Sequence, residues 1–282
     1  MIAWLGTGML GANFVRALRK RGHEVRVWNR TGERARALVA DGATAHEDVA
    51  DAVRGAARVH LTLADDASVD EVLERARPGL ASDVVLVDHT TTSPSGTRAR
   101  AARWQERGVS FQHAPVFMAP ANALQSSGVM LASGDRRRFE ALAPELRTMT
   151  GNLVYMGPEV DRAASYKLLG NLFLMFLTTG LADMFALAKA LGISAEQAMT
   201  LFDAFNPAQT IGGRAKRMMD KDFAHPSWEL VMARKDARLM LEEAASSGVP
   251  LAIIPAIAAE MDRWIGRGHA HDDWTVMAKD AL

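Results

Sequence analysis

Lys167 and Asn171 lie four residues apart at the start of an apolar stretch, ASYKLLGNLFLMF at 164–176. In an α-helix, side chains with this spacing project from the same face. A protonated lysine beside a reacting carbonyl stabilises the developing negative charge and donates the proton, and a neutral lysine accepts one in the reverse reaction. The alternative is a lysine whose ammonium reaches solvent from the start of the helix. A nearby cofactor site would favour the catalytic interpretation.

A glycine-rich turn near the N-terminus predicts such a site. Gly6, Gly8 and Gly11 have the spacing G-x-G-x-x-G, after a predicted strand at 2–5 and at the start of a predicted helix at 10–20. The first glycine permits the tight turn, the second lets the backbone approach a pyrophosphate, and the third lets helix and strand pack closely. The alternative is a glycine-rich turn without a ligand, but a helix N-terminus here favours phosphates. The predicted cofactor-binding residues of the turn are Gly6, Thr7, Gly8, Met9, Leu10 and Gly11.

The end of the second predicted strand, at 24–28, bears on the choice between NADP and NAD. NAD sites usually have an acidic residue here, which accepts a hydrogen bond from the ribose 2′-hydroxyl. This chain has Asn29, Arg30 and Thr31 instead. Asparagine tolerates a 2′-phosphate, and arginine binds one by charge and hydrogen bonds. We therefore predict NADP(H) rather than NAD(H), with Leu63 and Ala64 as further cofactor contacts.

Composition argues against several other classes of protein. The 282 residues are 49% hydrophobic, with 33 basic and 33 acidic side chains, which is typical of a globular protein with one large or two ordinary domains. The zero net charge gives no support for a nucleic-acid partner. There is no cysteine, the eight histidines lack zinc-ligand spacing, and no G-x-S-x-G motif is present. We expect no metal site.

Two apolar segments could be mistaken for targeting or membrane signals. The N-terminal MIAWLGTGMLG lacks the basic residues that precede the apolar stretch of a signal peptide, and glycines interrupt it. The uncharged run at 168–182 has 15 residues, whereas a membrane span needs about 20. We therefore predict a buried helix in a soluble, cytoplasmic enzyme without a membrane partner.

The elements that must position these residues follow from the apolar pattern. Short apolar runs alternate with helical patterns in the first half, which predicts a parallel sheet covered by helices. The predicted strands lie at 2–5, 24–28, 58–63, 84–88, 109–116, 130–134 and 153–157, with helices at 10–20, 31–40, 47–54, 68–75, 94–107 and 135–148. Only helices follow, at 161–191, 194–205, 228–247, 250–266 and 273–281, and Ser194 with Gln197 forms a predicted capping box. The predicted fold is α/β: a doubly wound Rossmann domain at 1–160 that binds NADP, and an all-α domain at 161–282 for substrate binding and dimerisation.

Taken together, these motifs resemble the β-hydroxyacid dehydrogenase family, within the superfamily that shares the NAD-binding domain of 6-phosphogluconate dehydrogenase. That family includes 3-hydroxyisobutyrate dehydrogenase and the glyoxylate and succinic semialdehyde reductases. The resemblance covers nearly the whole chain and rests on GTGMLG at 6–11, NRT at 29–31, DHTTTSP at 88–94, HAPV at 113–116, KLLGN at 167–171 and KD at 235–236. It implies an active site in the cleft between the two domains of a homodimer or homotetramer.

The resemblance also implies roles for residues outside the glycine-rich turn. Thr91 matches a threonine that contacts the cofactor. Lys235 matches a lysine near the nicotinamide end, with Asp236 as its companion. Trp228 occupies a position where relatives often place an aromatic residue over the site. We therefore assign Thr91 and Lys235 to the cofactor site, and Trp228 and Asp236 to the substrate site, as predictions.

The resemblance makes Lys167 the catalytic lysine and Asn171 the asparagine that holds the substrate. The predicted function is hydride transfer between NADPH and an aldehyde, ketone or semialdehyde. One alternative is an imine reductase-like enzyme, although such enzymes generally lack the lysine. Another is a non-catalytic NADP-binding protein, against which the presence of Lys167, Asn171 and Lys235 argues.

The substrate loop departs from the family pattern. Where the family usually has D-A-P-V-S-G-G, this chain has HAPVFMAPANA, so Phe117, Met118 and Ala119 replace a serine and two glycines. His113 replaces the aspartate, which indicates a structural more than a chemical role. In one interpretation the loop lines a roomier, apolar substrate site; in the other it packs into the core and leaves a substrate carboxylate to a basic group such as Arg214. We favour the first, which predicts an aldehyde or ketone larger or less acidic than methylmalonate semialdehyde or glyoxylate.

Overall fold

The computed structural model describes residues 1–282, which fold into two compact units, Met1–Asn171 and Leu172–Leu282. The large sheet of the first unit contains β1 (Ile2–Leu5), β2 (Val25–Trp28), β3 (Thr44–Ala45), β4 (Arg58–Leu61), β5 (Val85–Asp88) and β6 (Ser110–His113). Its strands are all parallel, in the order β3-β2-β1-β4-β5-β6. The strand order reverses between β1 and β4, where open α/β sheets bind ligands at the carboxyl ends of the strands.

Helices follow the strands, and both faces of the large sheet are buried. The helices that begin in the first unit are α1 (Met9–Lys20), α2 (Gly32–Arg36), α3 (Val49–Val53), α4 (Asp66–Ala76), α5 (Pro94–Glu106), α6 (Pro120–Gln125), α7 (Arg136–Leu146) and α8 (Arg162–Ala190). Along β1, Ile2 and Trp4 lie in one hydrophobic cluster, and Ala3 and Leu5 lie in another. Burial on both faces is the reason that these strands are continuously apolar. The predicted Rossmann arrangement is confirmed.

A small second sheet corrects the predicted strand at 109–116. β6 ends at His113, and the chain then forms β7 (Val116–Phe117), which pairs antiparallel with β8 (Val129–Ala132), while β9 (Asn152–Tyr155) pairs parallel with β8. Proline has no N–H to donate to a strand ladder, and Pro115 is at the break, where its carbonyl accepts from the N–H of Leu131 at 2.9 Å. The short elements β3 and α6 were also not predicted.

The second unit contains helices and no strand. After α8 come α9 (Ala195–Met199), α10 (Leu201–Ala204), α11 (Ile211–Asp220), α12 (Leu230–Ser246) and α13 (Ile254–Gly266). The predicted capping box is confirmed, because Ser194 Oγ accepts from the Gln197 N–H at 3.2 Å and Gln197 Oε1 accepts from the Ser194 N–H at 3.0 Å. The predicted helix at 194–205 is broken between α9 and α10, α11 was not predicted, and the last helical segment, Trp274–Ala281, is a 3₁₀ helix.

The start of α13 is held by a buried carboxylate on α8. Asp183 accepts hydrogen bonds from the N–H groups of Ala252, Ile253 and Ile254, at 2.6, 2.8 and 3.1 Å. Burial alone would raise the pKa of Asp183, but these three backbone donors outweigh it and lower the pKa. One side chain therefore satisfies donors that a helix start would otherwise leave free.

Helix α8 is exposed, so the prediction of a buried helix is wrong for the single chain. Eight consecutive or near-consecutive apolar residues, here called the apolar row, are each between 42% and 66% exposed. They are Leu168, Leu169, Leu172, Phe173, Leu174, Met175, Phe176 and Leu177. The helix is long and apolar enough to cross a membrane by length and composition, with a mean hydropathy of 1.5 in a window that is 11% buried.

Candidate active site

The glycine-rich turn joins β1 to α1 in a shape that requires glycine. Gly6 has φ +94°, which favours glycine, and a Cβ there would overlap the carbonyl of Thr62. A Cβ on Gly11 would overlap the Gly6 carbonyl and the Thr62 hydroxyl and would lie 2.9 Å from Nε1 of Trp4. Nothing lies within 4 Å of the Cβ position of Gly8, so the space beside it is open. Helix α1 has no side-chain cap, which leaves its first N–H groups for an anion.

A cavity of about 280 Å³ lies at this turn and at the ends of β2 and β4. The predicted cofactor residues that line it are Gly6, Gly8, Asn29, Arg30, Thr31, Leu63 and Ala64. Thr7 is buried, Leu10 packs against the core and Met9 is 80% exposed, so their side chains do not line it. Asn29 links the end of β2 to the glycine-rich turn, because its Oδ1 accepts a hydrogen bond from the Thr7 N–H at 3.0 Å.

Sequence reasoning missed four polar residues of this cavity, Arg34, Thr62, Ser68 and Glu71. Arg34 lies in α2, one helical turn after Arg30 in the sequence, and both line the cavity. A second arginine so close in the sequence was a visible signal for another cation near a 2′-phosphate. Thr62 also lines it and locks the turn, since its hydroxyl donates to the Gly6 carbonyl at 2.6 Å and accepts from Trp4 Nε1 at 2.9 Å. Only the fold brings Thr62 to residue 6, so no local pattern could have identified it.

The loop after β5 is held by a buried arginine and two partly exposed carboxylates. Arg100 is fully buried and donates from Nε to Asp70 at 2.8 Å and from Nη2 to Asp66 at 2.9 Å. Asp66 in turn accepts from the Ser93 N–H at 2.8 Å, which fixes the end of the loop. Thr91 is exposed on this loop. Thr91 is therefore presented to solvent on a loop that is held in place, and it is not among the residues that line the cavity.

Lys167 is the only buried lysine in the chain, with 8% of its surface exposed. Its Nζ donates to Oδ1 of Asn171 at 2.9 Å and lies 4.0 Å from the centre of the Phe117 ring. Burial lowers the pKa of the Lys167 ammonium below its ordinary value, and no carboxylate offsets this effect. The predicted pair is thus formed within the first unit, together with one residue of the predicted substrate loop.

The start of α8 is held in place by buried contacts, which fix the backbone position of Lys167. Ala163 and Ala164 are buried, and the Ala163 N–H donates to Ser133 Oγ at 2.9 Å. Ser133, just after β8, donates its own hydroxyl to the Val160 carbonyl at 3.2 Å. Lys167 follows about one helical turn later, so its backbone position is fixed by the small sheet.

The substrate loop divides between a site residue and the core. Phe117 is half-buried against Lys167, whereas Met118 packs against the hydrophobic core and Ala119 is exposed at the start of α6. His113 is fully buried, with Nε2 2.9 Å from the Thr90 carbonyl, and burial lowers its pKa. A neutral, hydrogen-bonded imidazole fits the structural role predicted for it.

Three predicted site residues and Arg214 belong to the second unit. Trp228 is 37% exposed and packs against Trp274 with ring centroids 5.3 Å apart. Lys235 and Asp236 form a partly exposed ion pair at 2.9 Å. Arg214 lies over the Trp274 ring at 4.8 Å and donates to Thr210 Oγ1 at 3.0 Å. A role for Arg214 in binding a substrate carboxylate therefore remains the alternative interpretation of the substrate loop.

The strand order puts the candidate residues of the first unit along one sheet edge. From β2 to β6, the carboxyl ends lead to Arg30, Gly8, Ala64, Thr91 and, after β6, the loop that carries Phe117 and touches Lys167. Neighbouring strands are about 4.8 Å apart, so four strand spacings cover roughly 19 Å. A dinucleotide held at the glycine-rich turn can therefore extend along this edge toward Lys167.

Comparison with known proteins agrees with this arrangement. Residues 1–157 match the family model described as the NAD binding domain of 6-phosphogluconate dehydrogenase, and residues 159–281 match the model described as the C-terminal domain of NADPH-dependent reductive aminase-like proteins. The 3-sulfolactaldehyde reductase of Escherichia coli (strain K12) is 26% identical over 281 residues, which cover 98% of this chain and 94% of that protein.

Solved structures share the fold over the full length. The imine reductase of Streptomyces aurantiacus is 27% identical with a TM-score of 0.90, covering 100% of this chain and 99% of that chain. A reductive aminase of Aspergillus terreus, in complex with NADPH4, cyclohexanone and allyl amine, has a TM-score of 0.91 and the same coverage at 22% identity, so it supports the fold alone. The chain therefore belongs to the family defined by the NAD-binding domain of 6-phosphogluconate dehydrogenase, and it is an NAD(P)-dependent oxidoreductase of the β-hydroxyacid dehydrogenase and imine reductase type.

Proposed function

We propose that the protein reduces a carbonyl compound with NADPH, and that Lys167 is the general acid while Asn171 orients the lysine or the substrate. The observation that carries this proposal is a buried lysine without a carboxylate partner, which donates a hydrogen bond to an amide oxygen and contacts the loop that follows β6. A lysine kept only for solubility would extend its ammonium into water.

The residues present can supply the proton that the reaction needs. The reduced nicotinamide cofactor supplies the hydride. Lys167 holds a proton at Nζ and donates it to the carbonyl oxygen as negative charge develops there. The lowered pKa of Lys167 makes this donation easier and allows the neutral amine to accept the proton in the oxidative direction.

We propose NADP(H) as the cofactor in preference to NAD(H). The open space beside Gly8, the uncapped start of α1 and the cavity at the ends of β2 and β4 support binding of the phosphate end of a dinucleotide. Arg30 and Arg34 both line that cavity, and the position after β2 has Asn29 in place of an acidic residue. Two cations, with no acidic residue directly after β2, favour a 2′-phosphate, although the carboxylate of Glu71 also lines the cavity.

We propose a substrate larger or less acidic than glyoxylate. Phe117 presents a ring face, and no serine hydroxyl, beside Lys167. An aromatic wall favours apolar groups and offers no hydrogen-bond donor to a carboxylate. Trp228 and Asp236 are kept as proposed substrate contacts, and Thr91 and Lys235 as proposed cofactor contacts.

Imine reduction is the second candidate, because the C-terminal region matches the reductive aminase-like model and the S. aurantiacus imine reductase shares the fold.

Both candidates can be tested by following NADPH oxidation with glyoxylate, succinic semialdehyde, benzaldehyde and cyclohexanone, each with and without allylamine, and with a cyclic imine. The primary proposal predicts the highest kcat/KM for benzaldehyde or cyclohexanone without amine. Highest efficiency on glyoxylate would refute the proposed substrate class, and turnover only with amine or imine would replace carbonyl reduction by imine reduction. NADPH binding without any turnover would favour a binding protein.

We also propose that a second copy of the chain covers the apolar row of α8 in a homodimer, or in a homotetramer built from it. Contiguous exposed apolar surface of this kind marks interaction sites. The resemblance to a family of dimers and tetramers supports the same occupant. We further propose a cytoplasmic location and a domain boundary at 160/161, which the ends of the two family matches support.

A further inference from the structure

The ammonium of Lys167 has two identified neighbours within the first unit. An ammonium has three N–H groups in a tetrahedral arrangement. One points to Asn171 Oδ1 at 2.9 Å, and the Phe117 ring centre lies 4.0 Å from Nζ. The face of an aromatic ring carries negative charge density and attracts cations within about 6 Å. An amide oxygen and a ring face therefore lie next to the ammonium, and each can take up one N–H.

Gly170 creates the space in which this ring lies. On α8, Gly170 and Asn171 follow Lys167 by three and four residues, so all three share one helix face. A Cβ on Gly170 would overlap Cζ of Phe117 and lie 2.7 Å from Cε1. The tip of the ring thus lies in the notch that glycine leaves beside the lysine and its asparagine. Any larger residue at 170 would push the ring away from the ammonium.

We propose that Phe117 is a positioning residue for Lys167: seated in the notch of Gly170, its ring face and Asn171 fix two N–H groups of the ammonium and aim the third at the substrate. The inference rests on the proposed role of Lys167 as general acid. The proposal also gives the apolar loop a role. The Phe117 ring contacts the lysine, so the loop does not need the serine and glycines that would bind a substrate carboxylate.

The contact can be measured without any substrate by NMR on protein labelled with [13C]lysine. The chain has only seven lysines, so removal of Lys167 assigns its signal. Protons over a ring face are shifted upfield by the ring current, and we expect this shift for the Lys167 side chain in the wild-type protein. It should vanish in Phe117→Leu, which keeps apolar bulk without a ring, and in Gly170→Ala, which displaces the ring. The matched control is Gly180→Ala, the same change in the same helix, where nothing lies within 4 Å of the new Cβ.

Activity gives the second readout, with benzaldehyde and NADPH. We expect Phe117→Leu to lower kcat roughly three- to tenfold with little change in KM for NADPH, as the loss of one cation–π contact implies. Gly170→Ala should have a similar effect, and Phe117→Leu/Gly170→Ala should be no worse than Phe117→Leu alone, because the ring is already gone. The lysine titration midpoint should fall in Phe117→Leu, because the ring's stabilisation of the ammonium is lost while water stays excluded.

An unshifted Lys167 signal in the wild type, or the same signal in Phe117→Leu, would overturn the inference. Additive losses in the double variant would also contradict it. Should Gly170→Ala fail to fold, Phe117→Leu alone still decides, since it needs no new space. A failure of the proposed function would be seen in a different measurement. If Lys167 is not the general acid, Lys167→Met keeps its turnover, whether or not the Phe117 ring shifts the lysine NMR signal.

Discussion

Replacement of Lys167 by methionine removes the proton and the charge but keeps an unbranched apolar stem of similar length. If Lys167 is the general acid, kcat for reduction should fall by about 10²–10⁴, the usual contribution of general acid catalysis. At about 1.36 kcal/mol per factor of ten, this is roughly 2.7–5.5 kcal/mol of transition-state stabilisation. The matched control is Lys189→Met, an exposed lysine in the last turn of the same helix, which should retain full activity.

The same substitution should not destabilise the fold. Methionine loses a charge-assisted hydrogen bond to Asn171, worth about 1.5–3 kcal/mol, and a cation–π contact to Phe117, worth about 0.5–2 kcal/mol. It also removes the cost of burying an ammonium without a carboxylate, which is several kcal/mol. The losses together, about 2–5 kcal/mol, are of the same size as this gain, so the net change should be near zero and the Tm should change little.

The lowered pKa of Lys167 determines the direction in which both stability and activity change with pH. Burial lowers the folded-state pKa of Lys167 below the ordinary value of 10.5. Between these two values the unfolded chain binds the extra proton, so the free energy of unfolding should rise with pH through this window in the wild type. Lys167→Met should lack that rise. For activity, kcat/KM for reduction should fall as pH rises through the lowered pKa, and kcat/KM for oxidation should increase.

Steady-state NADPH oxidation with the best carbonyl of the panel, and thermal unfolding at several pH values, measure these effects. A loss of kcat smaller than tenfold would refute the catalytic assignment. A Tm more than about 5 °C lower in Lys167→Met would refute the argument that the buried ammonium costs stability, because at 2–4 °C per kcal/mol it would mean a net loss above 1 kcal/mol.

Three further substitutions test the cofactor site, the apolar row and the second unit. Arg30→Ala should raise KM for NADPH by roughly ten- to a hundredfold, the value of a charged hydrogen bond, and leave KM for NADH unchanged; equal effects on both would contradict a 2′-phosphate contact. Phe173→Asp should convert the dimer to a monomer in sedimentation, while a wild-type monomer, or a wild-type chain recovered with membranes, would contradict the dimer. Asp183→Ala should lower Tm by roughly 4–16 °C, since three backbone donors lose their acceptor at about 2–4 kcal/mol in total, whereas Asp183→Asn keeps one acceptor and should lose less. Because the pKa of Asp183 is lowered, its stabilisation should be present above the ordinary value of 3.8 and disappear as pH falls through the folded pKa, which acid unfolding of the wild type against Asp183→Asn would measure.

Local chemistry determines what the sequence can predict here. The glycine-rich turn can be identified because each glycine serves a tight turn or a close approach of the backbone. Lys167 and Asn171 can be identified because their spacing places them on one helix face. Thr62 and Phe117 act through partners about fifty residues away, at Gly6 and at Lys167. Their roles depend on strand order and on the notch beside the lysine, which no periodicity encodes.

The elements that were not predicted have a physical reason as well. β7 is two residues long and follows a proline, so it carries too few residues for an alternating pattern. α11 has two glycines in its first turn, which weaken its helix propensity. The exposure of α8 was not predicted because an apolar composition does not distinguish a helix buried within its own chain from one that faces outward.

If a second copy of the chain covers the apolar row, as proposed, that exposure ties the stability of the protein to its concentration. A face that is covered only when two chains meet adds its burial to the free energy of the pair, so unfolding is linked to dissociation. The Tm of the wild type should then rise with chain concentration, and dilution alone should weaken the fold without any change in sequence. A substitution in the apolar row would flatten this dependence, whereas one at Asp183 would shift Tm equally at every concentration.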